Sequence, residues 1–273
     1  MPSSAALRIK IESDLQQRYP SALTPALRTI REVAATGIPA IDELLHGGLP
    51  VGAISELTGP TSSGRTTIAL SFLSSRTRDG SVCAWVDAGD AFDPESAAAN
   101  GVSLRHLLWI RCTDEQGEKR ISSQRNGFQK KSQPWSRLDQ AIRATDLLLQ
   151  AGGFGAIVLD LADEAIEHGR RIQLATWFRF RQAADRIRCS LVVLGRASYA
   201  QSSAALVLEC RPGSDDASSP NIMRRFTYSA ERGRDRFTSV TTVNRIQDIS
   251  RWGGKPAVSS WSAQALWDCE KRA

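Results

Sequence analysis

The chain has 273 residues, 41% of them hydrophobic, which is enough for one sizeable α/β domain with flanking pieces. It has no run of about eighteen apolar residues, and its first ten residues lack the apolar core of a signal peptide, so membrane spanning is excluded and a cytoplasmic protein is expected. A formal charge of +6 is compatible with nucleic acid without singling it out, and five scattered cysteines with no C-x-x-C pair argue against a disulfide framework or a zinc site.

In chain order, Leu7, Ile11 and Leu15 recur at four-residue spacing, so a short amphipathic arm helix is predicted over 5–19, ended before Pro20. A linker follows, then a short helix over 38–45. The turn 47–52 feeds a strand over 53–58, a glycine-rich loop and a helix over 66–75. Strands over 82–87 and 107–112 flank a helical 93–100, and this alternation points to a parallel sheet. A helix over 138–150 stops at Gly152 and Gly153, and a buried strand over 156–160 ends in Asp160. A helix over 170–188, strands over 190–195 and 204–209, and a hairpin of 224–230 with 237–243 complete the core. The expected division is an arm and linker over 1–35, a core over 36–246 with a basic insert at 113–137, and a tail over 247–273.

Residues 59–67 carry the chemistry. Gly59, Pro60, Thr61, Ser62, Ser63, Gly64, Arg65, Thr66 and Thr67 form a phosphate loop that is complete except for Arg65, which stands where G-x-x-x-x-G-K-[ST] requires lysine. The glycines let successive N–H groups curl around a phosphate, the following helix points its positive end at it, and Thr66 offers a hydroxyl to Mg2+. ATP with Mg2+ is the implied ligand. A planar guanidinium cannot take the place of a compact ammonium between the terminal phosphates, so efficient hydrolysis is not expected. The alternative is a relic turn whose glycines serve only the strand-to-helix geometry. Asp160, at the carboxyl end of an apolar strand, is the second candidate metal ligand. A helix cap or a pairing with Arg65 would account for it equally well.

Several segments together resemble the RecA recombinase family: 36–42 (TGIPAID), 47–50 (GGLP), 59–67 (GPTSSGRTT) and 86–94 (VDAGDAFDP). The resemblance is dense over 5–112 and looser over 138–243. It implies a RecA-like phosphate-loop core: a mainly parallel α/β sheet flanked by helices, with a short N-terminal helical arm that in the family docks on a neighbouring protomer. It also exposes departures. Where the family places the glutamate that orients the attacking water, this chain has Gly89. Where a γ-phosphate-sensing glutamine ends a strand, it has Gly195. The segments after Asp160 and after Gly195, which in the family carry two DNA-binding loops, are short.

This combined loss is similar to the RecA-like accessory proteins of the ImuA type, which work beside polymerases in mutagenic translesion synthesis. The implied function is an adaptor in DNA repair and damage tolerance with little or no ATPase activity, contacting a repair polymerase or a RecA filament. The alternative is a DNA-dependent ATPase recombinase that binds single-stranded DNA in homologous recombination and the SOS response. Candidate DNA contacts are Lys119, Arg120, Arg125, Lys130 and Lys131 in the insert, with Arg170, Arg171 and Arg196 near the loop positions. A solvated insert and a solvated arginine face are the plain alternatives. Trp252, Trp261 and Trp267 crowd the tail, where they either fold back on the core or anchor a partner. Self-association through the arm is a further expectation.

Overall fold

The computed structural model describes residues 29–113, 136–213, 225–239 and 258–264. Two short strands, β1 (Thr29–Arg31) and β2 (Val33–Ala34), lead to helix α1 (Pro39–Leu44) and β3 (Leu49–Pro50). The turn into α1 is tied by Asp42, whose carboxylate accepts from Thr36 N and Oγ1, both at 2.7 Å, and from Gly37 N at 3.2 Å. Then come β4 (Ile54–Thr58), α2 (Arg65–Arg78), β5 (Cys83–Asp87), α3 (Pro94–Ala99) and β6 (Leu107–Arg111). After the undescribed 114–135 the chain continues with α4 (Arg137–Ala151), β7 (Ala156–Asp160), α5 (Ile166–Arg170), α6 (Leu174–Ile187), β8 (Ser190–Gly195) and β9 (Ala204–Pro212). The last described strands are β10 (Arg225–Asp235), β11 (Phe237–Ser239) and β12 (Val258–Gln264).

Local chemistry explains the helix boundaries. Asp93 caps α3 by accepting from Glu95 N at 3.1 Å and Ser96 N at 3.2 Å, and Pro94 occupies the first turn, where no N–H is needed. Ser136 caps α4 through Asp139 N at 3.1 Å, and Gly152 at φ 70° ends that helix.

The main sheet has eight strands in the order β12-β10-β9-β4-β8-β7-β5-β6, with β9 through β6 parallel and β10 and β12 added antiparallel. The inner strands β4, β5, β7 and β8 are buried at every residue; β5, β7 and β8 accordingly read as largely apolar runs, whereas β4 buries Ser55, Glu56 and Thr58. Helices α1 and α2 supply the core on one face, with Ile68, Phe72 and Leu73. On the other face α4 and α6 contribute Leu148, Leu149, Trp177 and Phe180. This is the expected α/β architecture of a mainly parallel sheet between helices. Register aligns the carboxyl ends of the strands: Thr58 sits beside Gly195, Leu194 beside Asp160, and Asp160 beside Asp87.

The structure corrects the reading at three places. Among the described residues, the expected hairpin partners 225–230 and 237–239 do not pair with each other. Instead β10 pairs with β9 and β12, while β11 pairs in parallel with β1. The predicted helix over 170–188 starts later than expected: Arg170 ends α5, a turn at 171–173 intervenes, and α6 covers Leu174–Ile187. Part of the expected tail is a sheet strand, β12; its alternation of exposed serines with Trp261 was hidden by a Gly/Ser-rich composition. The predicted arm helix lies outside the described residues. Cys83, Cys112, Cys189 and Cys210 are free and buried, and burial pushes the Cys83 thiol up to about 11 and the Cys210 thiol up to about 12. No described helix is long and apolar enough to cross a membrane.

One carboxylate stands inside the sheet. Glu56, 1% exposed in the middle of β4, accepts from Ser198 Oγ at 2.5 Å, Tyr199 N at 2.6 Å and Ala200 N at 2.9 Å. It thereby pins the connection after β8 to the central strand, since buried N–H groups need partners. Replacing Glu56 with Ala orphans two buried N–H groups and should cost about 2–4 kcal/mol. The expected readout is a lower urea midpoint together with faster proteolysis at 196–203; an unchanged midpoint would contradict this role.

Candidate nucleotide-binding site

The loop between β4 and α2 is built by backbone geometry that its residues permit. Ser62 (φ 57°) and Gly64 (φ 83°) both adopt the left-handed region, and Gly59 at φ 152° lies against β9, where an added Cβ would come within 2.2 Å of the Cys210 carbonyl oxygen. Gly64 is the N-cap of α2 and provides no side-chain cap, so the first-turn N–H groups of a 14-residue helix are left for a ligand or solvent. Ser63 is 1% exposed, and its Oγ, which lies 2.9 Å from where a Cβ on Gly59 would be, has no partner among the described residues. An orphaned buried hydroxyl inside a ring of available N–H groups fits a phosphate oxygen. Thr66 is exposed at the mouth, in reach of solvent and of an ion there.

Arg65 does not join this nest. Only 6% exposed, it sends Nη1 to donate a short hydrogen bond to the carbonyl of Gly195 at the end of β8. Burial lowers its pKa, while the charge of Asp160 opposes that shift. The guanidinium is thus a strut within the protein, joining the start of α2 to the neighbouring strand.

Asp160 ends β7 at 7% exposure, with Oδ1 accepting from Ala162 N at 3.0 Å. Burial pushes its carboxyl up to about 7; the Ala162 N–H opposes the shift, Asp87 and Asp163 add to it, and Arg65 opposes it. Asp87 is itself buried and accepts from Phe92 N at 2.9 Å, Ala91 N at 3.1 Å and Trp109 Nε1 at 3.3 Å. Among the described residues no group of three or more His, Cys, Asp or Glu is placed to hold a metal. A magnesium ion would therefore rely on Thr66, Asp160 and the ligand's own oxygens.

At Gly89 a Cβ would meet Asp163 Oδ2 at 2.9 Å, so the side chain from the β7–α5 connection fills the space where a residue at 89 would begin. Asp90, the adjacent acid, turns away into a two-point pair with Arg111 at 2.7 and 2.8 Å, and that bond holds its carboxyl below the ordinary range. Tyr199 is wedged between glycines: a Cβ on Gly169 would meet its ring at 2.5 Å, and one on Gly195 at 2.6 Å. Arg196 donates from Nε to Ala162 O at 3.1 Å.

The other sequence candidates scatter. Arg170, Arg171 and Arg196 are all exposed. Arg171 lines a cleft of 770 Å³ between the first turns of α4 and α6, together with Arg137, His168 and Glu164; no residue of the phosphate loop takes part in it. Lys119, Arg120, Arg125, Lys130, Lys131, Trp252 and Trp267 lie outside the described residues. Trp261 is 8% exposed and packs on Tyr228 with ring centroids 5.4 Å apart. Of the two readings of its indole, burial favours folding back on the core: both rings lie against Gly64, where a Cβ would approach each at 2.9 Å. Tyr228 also shares a hydrogen bond with Thr67. Sequence reasoning missed Glu56, Asp163, Tyr199 and Tyr228. Only Glu56, a charge inside an apolar strand, carried a readable signal.

Comparison with known proteins agrees with this geometry. Residues 22–124 match the family model for the RecA N-terminal domain. Among similar proteins, Protein RecA of Allorhizobium ampelinum is 37% identical over 130 residues, covering 47% of this chain and 30% of the relative. Protein RecA of Clostridioides difficile is 34% identical over 152 residues, 55% of this chain and 37% of the relative. Protein RecA of Nostoc punctiforme is 45% identical over 86 residues, 32% of this chain and 24% of the relative. The matched part of the chain thus spans well under half of these relatives' length. The crystal structure of the RadB recombinase shares the fold, with a TM-score of 0.51 at 18% identity over 75% of this chain and 91% of that one. The family match contains the phosphate loop and Gly89 and ends before Asp160 and Gly195, and over that part the chain is similar to the RecA family.

Proposed function

We propose that this protein is a RecA-like accessory factor in DNA repair and damage tolerance, of the ImuA type in mutagenic translesion synthesis, which holds a nucleotide without driving a hydrolytic cycle. The carrying observation is Arg65: the residue at the position that should reach the terminal phosphates is buried and bonded to Gly195. Three losses then coincide. There is no cation from position 65, no carboxylate side chain at 89, and no side chain at 195 to sense a γ-phosphate. Each loss of transition-state stabilisation or water orientation costs a factor of about 10² or more. The proposed setting is cytoplasmic, with a RecA filament or a repair polymerase as partner. Single-stranded DNA would be met through the exposed Arg170, Arg171 and Arg196, and self-association would run through the N-terminal arm.

A recombinase that hydrolyses ATP when bound to DNA is the competing reading, favoured by the preserved backbone of the loop and the position of Asp160. A hydrolysis assay with and without single-stranded DNA separates the two. Turnover about 10²-fold or more below a RecA control is expected in both conditions. Robust DNA-stimulated turnover that Asp160→Ala abolishes would overturn the adaptor reading.

Arg65→Lys should raise nucleotide affinity without restoring turnover, since Gly89 still supplies no base. The same change removes the Gly195 bond and should lower stability by about 1–3 kcal/mol. Calorimetric titration and thermal melting check the two parts. Recovery of full turnover from this change alone would contradict the assignment of Gly89 as a missing base.

Asp160 also sets a pH dependence. Its folded carboxyl lies at about 7, above the ordinary value near 3.9, so the folded state holds a proton that the unfolded state releases between those limits. The associated stability is present at low pH and is lost as pH rises through about 7. Over the same range Asp160 becomes an anion able to take Mg2+. The effect of Mg2+ on nucleotide affinity should therefore be small at pH 6, larger at pH 8, and absent in Asp160→Asn; an Mg2+ effect independent of pH would remove Asp160 from the metal site.

A further inference from the structure

Resting on the reading that the loop binds a nucleotide, we propose that its ligand is a nucleoside diphosphate, and that the sheet edge beyond the loop disfavours a third phosphate. The loop itself suits the phosphates nearest it. The uncapped first turn of α2, the left-handed Ser62 and Gly64, and the orphaned Ser63 Oγ together offer donors to one or two phosphate groups. None of these donors depends on a terminal phosphate.

Further out, the electrostatics reverse. In phosphate-loop nucleotide sites the terminal phosphate extends toward the strand bearing the metal-linked aspartate, here β7, and a loop lysine normally neutralises it. At this edge the nearby cations are committed to protein acceptors: Arg65 to the Gly195 carbonyl, Arg196 to the Ala162 carbonyl, and Arg111 to both oxygens of Asp90. The carboxylates at this edge are acidic neighbours of Asp160, with Asp87 buried and only Asp163 exposed. Asp87 and Asp160 end neighbouring strands in register, and Asp163 is exposed against Gly89. The fields of Asp87 and Asp163 both act on Asp160, which places the three carboxylates in one electrostatic cluster. A third phosphate adds negative charge beside this cluster, and Arg65 and Arg196, the cations acting there, are tied to protein carbonyls rather than free to close on it, whereas a diphosphate ends before reaching it.

The test is equilibrium titration of the full chain at pH 7.5 with ADP, AMP and a non-hydrolysable ATP analogue, without and with excess Mg2+. Without Mg2+, ADP should bind about tenfold or more tighter than the triphosphate analogue, and AMP more weakly than ADP. Mg2+ should narrow the gap by neutralising the triphosphate. Asp163→Asn, an exposed substitution, should also narrow the ratio by several-fold, with a thermal melt confirming that the variant is folded. A triphosphate that binds as tightly as ADP or more tightly without Mg2+ overturns the inference while leaving nucleotide binding intact. A ratio unmoved by folded Asp163→Asn removes the acidic edge as its cause. No binding of any of the three ligands overturns the nucleotide-binding reading itself.

Discussion

The bond from Arg65 to the Gly195 carbonyl is the constraint around which the carboxyl edge of this sheet is arranged. A lysine at the head of a phosphate-loop helix has its counter-charge in the ligand, so its position is set by whether nucleotide is present. Arg65 finds its acceptor in the protein. A guanidinium that is 6% exposed must have its donors used internally, because an unpaired buried charge is among the most destabilising features a fold can carry. The link between α2 and β8, which a nucleotide could make or break in a switching protein, is here part of the resting structure.

Neighbouring contacts extend the same logic. Glu56 holds the backbone of Tyr199 and Ala200 from inside the sheet, Tyr199 lies between Gly169 and Gly195, and Arg196 reaches the Ala162 carbonyl. The connections after β7 and β8 are therefore fastened to each other and to β4. In a recombinase those connections carry the loops that respond to DNA and ATP, and a response requires two arrangements of similar free energy. With a buried carboxylate, an aromatic wedge and two arginine bonds all favouring one arrangement, an alternative would have to leave several buried polar groups unsatisfied at once.

The fold was largely legible because its signals are local and strong. Strands β5, β7 and β8 are unbroken apolar runs of strand length, and Asp93, Ser136 and Gly152 mark helix ends by known capping chemistry. The phosphate loop was legible because its glycine and hydroxyl spacing repeats a backbone requirement. What escaped was set by tertiary contact. Nothing local distinguishes Asp163 from its neighbours in a polar turn; only the absence of a side chain at Gly89, 74 residues earlier, gives it its place. Strand β12 escaped because serines facing solvent weaken the apolar alternation, and Trp261 acquires its meaning only against Tyr228 and Gly64. The β10 pairing escaped because the short spacing to β11 imitates a hairpin, while the actual partners, β9 before it and β12 after it, are reached through longer connections.

The departures from the recombinase pattern are also mutually dependent. Arg65 uses the carbonyl of Gly195, and the missing side chain at Gly195 is what admits the ring of Tyr199, which in turn requires Gly169. Likewise, Gly89 without a side chain admits Asp163. A glutamine at 195 would run into Tyr199, and a glutamate at 89 would run into Asp163, each at under 3 Å from the first side-chain atom. Adding a side chain at 89 or 195 therefore requires Asp163 or Tyr199 to move first. Substitutions that had merely drifted would be separately reversible. Gly89 and Gly195 have been packed around by Asp163 and Tyr199, which is how a coordinated rearrangement differs physically from isolated loss.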